Sequence, residues 1–470
     1  MGKVYSKEEI EEGIKKIYRV VLQQAGITPY YVIGLAMASW FVDAYDFSAL
    51  SLGAASFKAT FPWMSSWLFG FAMSSVQIGA TVGALLGGWL TDRLGRRTMF
   101  ILNMILFTIM AIGAGLAPDP YTFSAFRIAL GFALGADIVT SFTYIFEYLE
   151  VRRRLVFSNS IDAWWFGSVV FAALFIYLPL YYVLHTLTSH WFWRITMFVG
   201  GVAAFIIFLL RSKMPESVLW LAYQGKLATA KRIIKQVYGI DLPDVPDVDV
   251  ELRKVARGFR SFFRIFRRSK WKELVSCFVG SFEGAFEYYS WGFYFPYIIL
   301  VFAHLGAIST IVASTIMNIA GLIAGVVTAL LTLRLGTKNL YVIGAFGTGL
   351  SMLAAAFVLP AKILPLIILF ASTFLFLHVI GPMGSQTFTM INAYFGPSER
   401  GTAGGWNYFF TKLAAVISAF WAPTLFATIG VINTLYALSA FAIVTAIIGL
   451  VLAPDARTYR PEEEKEALGT

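Results

Sequence analysis

Long apolar runs, separated by short polar stretches, make up most of the chain. Each run has about 20 residues or more, which is enough for a helix to cross the hydrocarbon core of a bilayer. Because lipid offers no hydrogen-bond partners, we expect these runs to be helices rather than open strands. The pattern predicts an all-α membrane protein with twelve transmembrane helices, at residues 30–53, 65–90, 98–117, 121–147, 157–183, 192–211, 273–302, 307–332, 339–359, 363–391, 402–427 and 430–453.

The longest polar stretch divides these spans into six plus six, which predicts two six-helix bundles related by pseudo-symmetry. We expect a cytoplasmic amphipathic segment, an N-terminal bundle, a cytoplasmic linker, a C-terminal bundle and a cytoplasmic tail, at residues 1–29, 30–211, 212–272, 273–453 and 454–470. Within the linker, the sequence ARGFRSFFRIFRRSKWK alternates Phe and Ile with Arg and Lys. This alternation predicts an amphipathic helix lying at the inner membrane surface.

Basic residues are concentrated in alternate loops. Loops on one side carry TDRLGRR, EVRRR, LRLGTK, GPSER and the long stretch from Arg211 to Lys272, whereas loops on the other side carry only Lys58, Arg194 and Lys362. An excess of Lys and Arg marks the cytoplasmic side of a membrane protein. We therefore expect a multi-pass protein of the cell membrane with both termini in the cytoplasm. The same asymmetry explains the net charge of +10 without a nucleic-acid partner.

Composition narrows the class of protein further. The chain is 58% hydrophobic and 14% charged, whereas soluble domains average roughly 25% charged residues. The single cysteine, Cys277, excludes an intrachain disulfide and a Cys-rich metal site. We find no metal-binding His/Asp cluster, phosphate-binding loop or nucleophile motif. We therefore expect no catalytic residues, no metal site, no cofactor and no enzyme activity.

Acidic residues interrupt the predicted spans, although a charge at the centre of a membrane helix costs roughly 2.5–3.5 kcal/mol on insertion scales. Such residues usually mark the path of an ion or a substrate. They are Asp43, Asp46, Asp137, Asp162, Glu283 and Glu287. This set favours the interior of a transporter over a membrane anchor.

Depth along the helices relates these acids to one arginine. At about 1.5 Å per residue, Asp46 lies about 10 Å below the outer end of the first span, and Arg127 lies about 9 Å below it on the fourth. We expect an ion pair between them that either couples protons or is a static bridge. Asp43 is one turn from Asp46, so like charge disfavours joint ionisation. Asp137, near the middle of the membrane, has no cation that the sequence identifies and is therefore the best candidate for carrying a proton at neutral pH. We therefore assign proton coupling to Asp43, Asp46, Arg127 and Asp137.

Candidate substrate contacts surround these acids. Glu283 and Glu287 share one face of the seventh span, either lining a cavity or forming a polar cluster nearer the cytoplasm. Amide and aromatic side chains in the spans either contact substrate or join neighbouring helices. The predicted substrate-binding residues are Tyr45, Gln77, Asp162, Trp164, Glu283, Glu287, Tyr288, Trp291, Gln386 and Asn407. Lys412, the only basic residue well inside a second-half span, either holds an anionic substrate or snorkels to the surface.

The loop between the second and third spans reads GGWLTDRLGRRTMF, residues 87–100. It matches G-x-x-x-D-R-x-G-R-R and resembles the signature of the major facilitator superfamily. The resemblance implies that the motif forms a charge lock at the inner face, which steadies one conformation of the two halves. The implied lock residues are Gly88, Asp92, Arg93, Gly95, Arg96 and Arg97, with Glu147 and Arg154 at the family spacing.

Other segments resemble particular branches of that superfamily. Residues 127–154 are similar to the fourth helix and following loop of sugar and phosphate porters, and Met214 begins MPESVLWLAYQGKLATA, which resembles a sugar-porter element. Asp162 stands where these porters place a substrate-contacting glutamine. The DAYDF sequence at 43–47 resembles proton-coupled phosphate and organic-acid symporters.

The resemblance implies a monomeric, proton-coupled symporter of a small polar solute such as phosphate, an organic acid or a sugar, driven by the proton gradient without a cofactor. Its partners are then the solute, protons and the lipid bilayer. An antiporter that exports metabolites or drugs, and a passive sugar-type uniporter, are the alternatives. The sequence does not distinguish the solutes.

Overall fold

The computed structural model of the chain describes residues 5–23, 30–184, 189–250, 262–295, 307–361, 363–382 and 386–468. These ranges are helical apart from short connections, and a single β-bridge within them joins Lys226 to Asp249. Eight of the described helices are long and apolar enough to cross a membrane by length and composition. The other four predicted spans correspond to helices that carry buried polar residues or are interrupted, so the fold has twelve spans in two halves.

The first half follows the predicted spans closely. Its helices are α1 Lys7–Gln23, α2 Tyr30–Thr60, α3 Ser66–Leu94, α4 Arg96–Leu116, α5 Pro120–Tyr148, α6 Val151–Asn159, α7 Ile161–Ala172, α8 Leu178–Leu184 and α9 His190–Arg211. A π-helical turn, Ala173–Tyr177, joins α7 to α8, so α6 to α8 together form the fifth span. Asp119 caps α5 by accepting hydrogen bonds from the backbone N–H groups of Tyr121 and Thr122, and Pro120 occupies the first turn.

The linker and second half continue this arrangement. Their helices are α10 Val218–Gln224, α11 Leu227–Tyr238, α12 Trp271–Glu287, α13 Ala307–Leu335, α14 Thr337–Val358, α15 Leu364–Ile380, α16 Thr387–Tyr394, α17 Arg400–Thr428, α18 Gly430–Leu452 and α19 Glu462–Leu468. A π-helical turn, Tyr288–Gly292, extends α12. Residues 296–302 of the predicted seventh span, and residues 303–306 after it, lie outside the described part of the chain.

The same glycine turn occurs once in each half. Gly95 separates α3 from α4 with φ 92° and ψ 160°, and Gly336 separates α13 from α14 with φ 83° and ψ 158°. A residue with a Cβ is strained in this region of the backbone map, so glycine is required at both turns. Matching turns at matching places are the local evidence for an internal repeat.

The tenth span, predicted over 363–391, contains two described α-helices: α15 ends at Ile380 and α16 begins at Thr387. Pro382 has no backbone N–H to continue the α-helix, and Gly381 approaches α14 so closely that a Cβ on Gly344 would lie 2.1 Å from the Gly381 Cα. The end of α15 therefore follows from Gly-Pro chemistry and from a close contact between helices, and residues 383–385 lie outside the described part of the chain.

The basic linker stretch also differs from its prediction. Residues 262–270 form turns and a short 3₁₀ segment, Arg268–Lys270, instead of a continuous surface helix, and residues 251–261 lie outside the described ranges. Phe262 and Ile265 are buried, and Trp406 Nε1 donates to the Phe262 carbonyl at 3.1 Å. Phe262 and Ile265 thus pack inside the protein, whereas Phe263 and Phe266 contact Trp406 of α17 and stay about half exposed.

Two contacts join the halves around a central space. On one side α3 packs along α17, and on the other α7 packs along α13. The helices α1, α10, α11 and α19 lie together at one end of the spans, where α1 contacts α10, α11 and α19. Trp220 of α10 donates to the backbone oxygen of Asp92 at 2.9 Å, so this end is also the end that carries the charged motif.

Candidate functional site

A network of buried charges closes one end of the interface between the halves. We call it the lock and define it as Asp92, Arg96, Glu147, Arg154, Arg400 and Glu464; the end of the molecule where it lies is the lock side. Arg96 donates to both oxygens of Glu147 at 2.8 and 2.9 Å and to Asp92 at 3.2 Å. Such forked pairs are strong and geometrically specific. The predicted motif residues thus pair with one another inside the first half.

The lock also spans the two halves. The Asp92 carboxylate accepts hydrogen bonds from the backbone N–H of Gly401 at 3.1 Å, from the N–H of Thr402 at 2.7 Å and from the Thr402 hydroxyl at 2.8 Å. These groups form the first turn of α17, where the helix dipole favours a negative charge. An acid of the first half therefore caps a helix of the second.

The tail helix α19 contributes a lock residue that the sequence did not indicate. Glu464 accepts from Arg154 through two hydrogen bonds of 3.0 Å and from Arg400 at 2.8 Å. Although burial opposes ionisation, the two guanidinium groups lower the pKa of Glu464 to about 2. Arg400 was also missed. The basic residues of GPSER and the acidic PEEE of the tail were the only sequence signals that point to this pair.

The remaining predicted lock residues lie around this network. The Arg93 guanidinium stacks on Trp89 at 3.7 Å from the ring centroid, and Arg97 donates to the Ser212 carbonyl at 3.0 Å. Glu216, in the linker, accepts from the backbone N–H of Arg96 at 2.9 Å. Burial raises the pKa of Glu216 while this hydrogen bond opposes the shift. The linker is therefore tied to the start of α4.

Glycines allow the halves to meet at the lock side. A Cβ on Gly88 would lie 2.3 Å from the carbonyl oxygen of Gly401 and 2.8 Å from the Cα of Gly405. Backbones at this distance leave no passage between α3 and α17. The structure is therefore closed on the lock side.

The predicted ion pair between the first and fourth spans is present. Arg127 Nη1 lies 2.5 Å from Asp46 Oδ1, and both side chains are buried. Tyr45, in contrast, donates its hydroxyl to the Thr196 carbonyl at 2.9 Å and stacks on Tyr177. Its side chain points toward α9 and not into the cavity, which differs from the prediction that Tyr45 contacts substrate.

Asp137 has a cation after all. Both of its oxygens accept from Arg211 Nη1, at 2.9 and 3.0 Å, and Arg211 also donates to the carbonyls of Leu35 and Ala36. The expectation of an unpaired Asp137 is wrong because Arg211 was counted as a loop residue, whereas it ends α9 and points inward. Asp43, in contrast, has no hydrogen bond to either of its oxygens among the described residues.

A cavity of about 50 Å³ lies between the halves. Its lining residues are Trp40, Phe142, Asp162, Trp165, Phe166, Tyr288, Tyr289, His378, Val379, Phe388, Tyr408, Thr411 and Lys412. Of the predicted contacts, only Asp162 and Tyr288 line it. Trp164 is 41% exposed on the outside of α7, and its neighbour Trp165 faces the cavity instead. Trp40, Phe142, Phe388 and Tyr408 were missed because apolar rings in apolar spans give no distinguishing signal.

The other predicted contacts lie behind the cavity wall. Gln77 Nε2 donates to the hydroxyl of the lining residue Tyr289 at 3.2 Å. Asn407 accepts from Ser281 at 3.0 Å, and Gln386 accepts from Asn159 at 3.5 Å, so both amides join neighbouring helices. Trp291 is buried against Phe295.

The two acids of α12 differ from each other. Glu287 Oε1 and His378 Nδ1 share a hydrogen bond of 2.6 Å, which ties Glu287 to a cavity residue. No described donor reaches either oxygen of Glu283. In the same described ranges, no group of three or more His, Cys, Asp or Glu residues is arranged to hold a metal ion.

Two halves of six helices around a central cavity, with a closed charge lock on one side, define a membrane transporter of the major facilitator type. Comparison with known protein families identifies its family. Residues 21–466 match the family described as "Sugar (and other) transporter", and the chain belongs to it. Proteins of this family are transporters rather than enzymes, and they need no cofactor.

Relatives support this assignment. The chain is 26% identical over 430 residues to the arabinose-proton symporter of Bacillus subtilis (strain 168), covering 89% of this chain and 90% of the relative. It is 26% identical over 264 residues to a niacin transporter of Acinetobacter baylyi, covering 54% of this chain and 57% of that relative, so the match spans little more than half of its length. The structure of the proton:xylose symporter XylE bound to 6-bromo-6-deoxy-D-glucose superposes with a TM-score of 0.79, at 18% identity, over 93% of this chain and 98% of that one.

Proposed function

We propose that the protein carries a small polar solute into the cell together with protons, as a monomer in the cell membrane that works by alternating access. Phosphate, an organic acid and a sugar are the candidate solutes. The lock side, with both termini, faces the cytoplasm. In the structure's conformation the central cavity is then shut off from the cytoplasm.

The buried Asp46–Arg127 pair is the observation that carries this proposal. In the closed conformation Arg127 contacts Asp46 at 2.5 Å. If the opposite conformation separates the pair, a desolvated carboxylate binds a proton more readily than a paired one. A proton that distinguishes the two conformations can drive one toward the other. Asp43, one turn away and without a hydrogen-bond partner, is the second candidate carrier.

The lock supplies the other requirement of alternating access. Its ion pairs hold the two halves together on the lock side, so solute release on that side requires these pairs to break. Arg96, Arg154 and Arg400 form a connected set with their acids rather than isolated bridges. We expect the lock to open and close as a unit.

Similarity to named proteins favours coupling to protons but leaves the solute open. The arabinose relative is named as a proton symporter, and it is matched over most of both chains. Another relative is named as a niacin transporter, and it is matched over a shorter region. These names support a carrier of small polar solutes as a class.

Uptake into proteoliposomes tests the proposal. Purified protein is reconstituted and offered radiolabelled sugars, carboxylates and phosphate, each with no pH gradient and with gradients of either sign, and protein-free liposomes correct for passive entry. We expect at least one solute to accumulate above equilibrium only with an acidic exterior. Equilibration without response to the gradient contradicts the proposal in favour of a uniporter, and uptake stimulated by the opposite gradient contradicts it in favour of an antiporter.

A further inference from the structure

The walls of the central cavity are largely aromatic. Eight of the thirteen lining residues are Trp, Tyr or Phe. Polar partners come from Asp162, His378, Thr411 and Lys412, from three tyrosine hydroxyls and from two indole N–H groups. Of these, His378 Nδ1 is already engaged by Glu287 and the Tyr289 hydroxyl by Gln77. The aromatic walls suit a flat apolar ring, and Lys412 suits one anionic end.

The rings form the walls of a slot. Phe142 and Phe388 are stacked at 4.6 Å between centroids, and Trp40 meets Phe142 edge-on at 5.2 Å. Trp165 lies at 6.0 Å from Trp40 and at a steep angle to it. Offset-stacked and edge-to-face contacts with such walls favour an aromatic guest. The cavity of about 50 Å³ is smaller than the roughly 150 Å³ that holds benzene in a protein core, so a ring enters only when the walls move apart.

Lys412 is a buried cation that no carboxylate of the described residues contacts directly, although Asp43 acts on it at longer range. It is 2% exposed, and its ammonium nitrogen lies 4.8 Å from the Phe47 ring centroid and 4.9 Å from that of Tyr408. Among the described residues it has neither an ion pair nor a hydrogen bond. Two ring faces compensate only part of the loss of water around an ammonium group. A ligand carboxylate would supply the missing partner.

We propose that the central cavity binds a planar aromatic monocarboxylate, with its carboxylate at Lys412 and its ring among Trp40, Trp165 and Tyr289. This inference rests on the proposed function, since it names the class of solute that the transporter carries. It makes Lys412, rather than the predicted acids, the residue that selects the solute.

The same arrangement links anion binding to proton binding at Asp43. The charged and titratable groups that act on Asp43 are Asp46 on its own helix, Asp137 on α5, Arg211 on α9, and Lys412 and Tyr408 on α17. A carboxylate at Lys412 offsets the attraction of that cation for the Asp43 carboxylate. Each ligand then favours the binding of the other, and the coupling is reciprocal.

Binding calorimetry on the full-length protein in detergent tests the inference with benzoate as the probe. Three comparison compounds are used: benzamide lacks the carboxylate charge, cyclohexanecarboxylate lacks the aromatic ring, and D-xylose lacks both. We expect benzoate to bind at least tenfold more tightly than each of the three. We also expect proton uptake on benzoate binding, measured in two buffers of different ionisation enthalpy, and its loss in Asp43→Asn.

Variants separate the role of Lys412 from that of the fold. Lys412→Met should weaken benzoate binding at least tenfold and leave the affinity for benzamide unchanged, while Lys338→Met, at the start of α14 and away from the cavity, should change neither. Trp165→Leu should reduce the preference for benzoate over cyclohexanecarboxylate. Thermal unfolding of each variant shows that it is folded. Benzoate affinity that Lys412→Met leaves intact overturns the inference.

Failure of this inference is distinguishable from failure of the proposed function. If a sugar accumulates under a pH gradient and benzoate does not bind, the solute class is wrong and proton-coupled transport stands. If benzoate binds through Lys412 but no solute accumulates under a gradient, the cavity is correctly assigned and the symport proposal is wrong.

Discussion

The lock and the central cavity differ in whether their buried charges have partners. In the lock, Arg96, Arg154 and Arg400 each contact a carboxylate, and Glu464 bridges two of them. Around the cavity, the Asp43 carboxylate and the Lys412 ammonium are equally buried but have no hydrogen-bonded partner among the described residues. Paired charges hold a conformation, whereas unpaired charges leave a position for a proton or a ligand.

Energetics explain why both arrangements occur in one protein. Removing an ion from water costs several kcal/mol even after relaxation, and only good geometry and further hydrogen bonds offset this cost. The lock meets that condition through forked arginine pairs. The Asp43 and Lys412 charges do not meet this condition. A proton or a ligand that pairs with them would therefore recover part of the desolvation cost as binding free energy. The comparison predicts that substitutions in the two regions have different signatures.

The largest effect is expected from Asp46→Asn. This change leaves Arg127 buried without its anion and removes the group that would exchange a proton. We expect accumulation driven by a pH gradient to fall to the level of protein-free liposomes, while exchange of solute across the membrane continues. Asp119→Asn, at the exposed cap of α5, is the control. Full accumulation by the Asp46→Asn protein would falsify the coupling role of this pair.

The next effect is expected from Glu464→Gln, which removes one partner from Arg154 and Arg400. Breaking a buried ion pair costs about 3–5 kcal/mol, so the population open on the lock side should rise by roughly two orders of magnitude or more. Val139, which faces Gly404 across the closed interface, reports the opening as Val139→Cys in a Cys277→Ser background, through its rate of maleimide labelling.

Glu466→Gln, on the exposed face of the same helix, is the matched control and should label at the unmodified rate. Equal labelling of the two variants at position 139 contradicts a role for Glu464 in closure.

A smaller effect is expected from pH. The pKa of Glu464 is lowered from 4.5 to about 2, so the carboxylate stabilises the folded state above the unfolded-state pKa and loses this contribution as pH falls toward about 2. The difference in unfolding temperature between the wild type and Glu464→Gln should be constant from about pH 8 to 5 and shrink below about pH 4.5. A difference in unfolding temperature that grows on acidification would contradict a stabilising role of the ionised Glu464.

The smallest effect is expected from Asp241→Asn. Lys235 and Asp241 lie 2.8 Å apart, but both side chains are exposed, and exposed pairs contribute little because water and salt screen them. We expect no measurable change in unfolding temperature, in lock-side labelling or in uptake. A clear loss of stability would show that the distinction between buried and exposed pairs does not hold in the linker.

The helices were largely predictable from the sequence, and the side-chain directions were not. Long apolar runs located the described spans to within a few residues. The rotation of α7 was not determined, so Trp164 was chosen where Trp165 faces the cavity. In a membrane helix the side that faces lipid is as apolar as the side that faces the protein, so apolar periodicity does not say which ring points inward.

Contacts between residues that are far apart in the sequence were also not predictable. Glu464 and Arg154 are separated by 310 residues, and no local pattern connects them. Arg211 was assigned to a loop because it follows the apolar run, although its side chain turns back to Asp137. The Asp46–Arg127 pair was found because equal depth on two helices is a property that the sequence does carry.

The close approach of Gly88 to Gly401 and Gly405 has a practical consequence. Since the two backbones touch where a methyl group has no room, alanine at position 88 would act as a wedge between the halves. Such a variant cannot close on the lock side. It would provide a protein held in the opposite conformation for crystallisation and for nanobody selection.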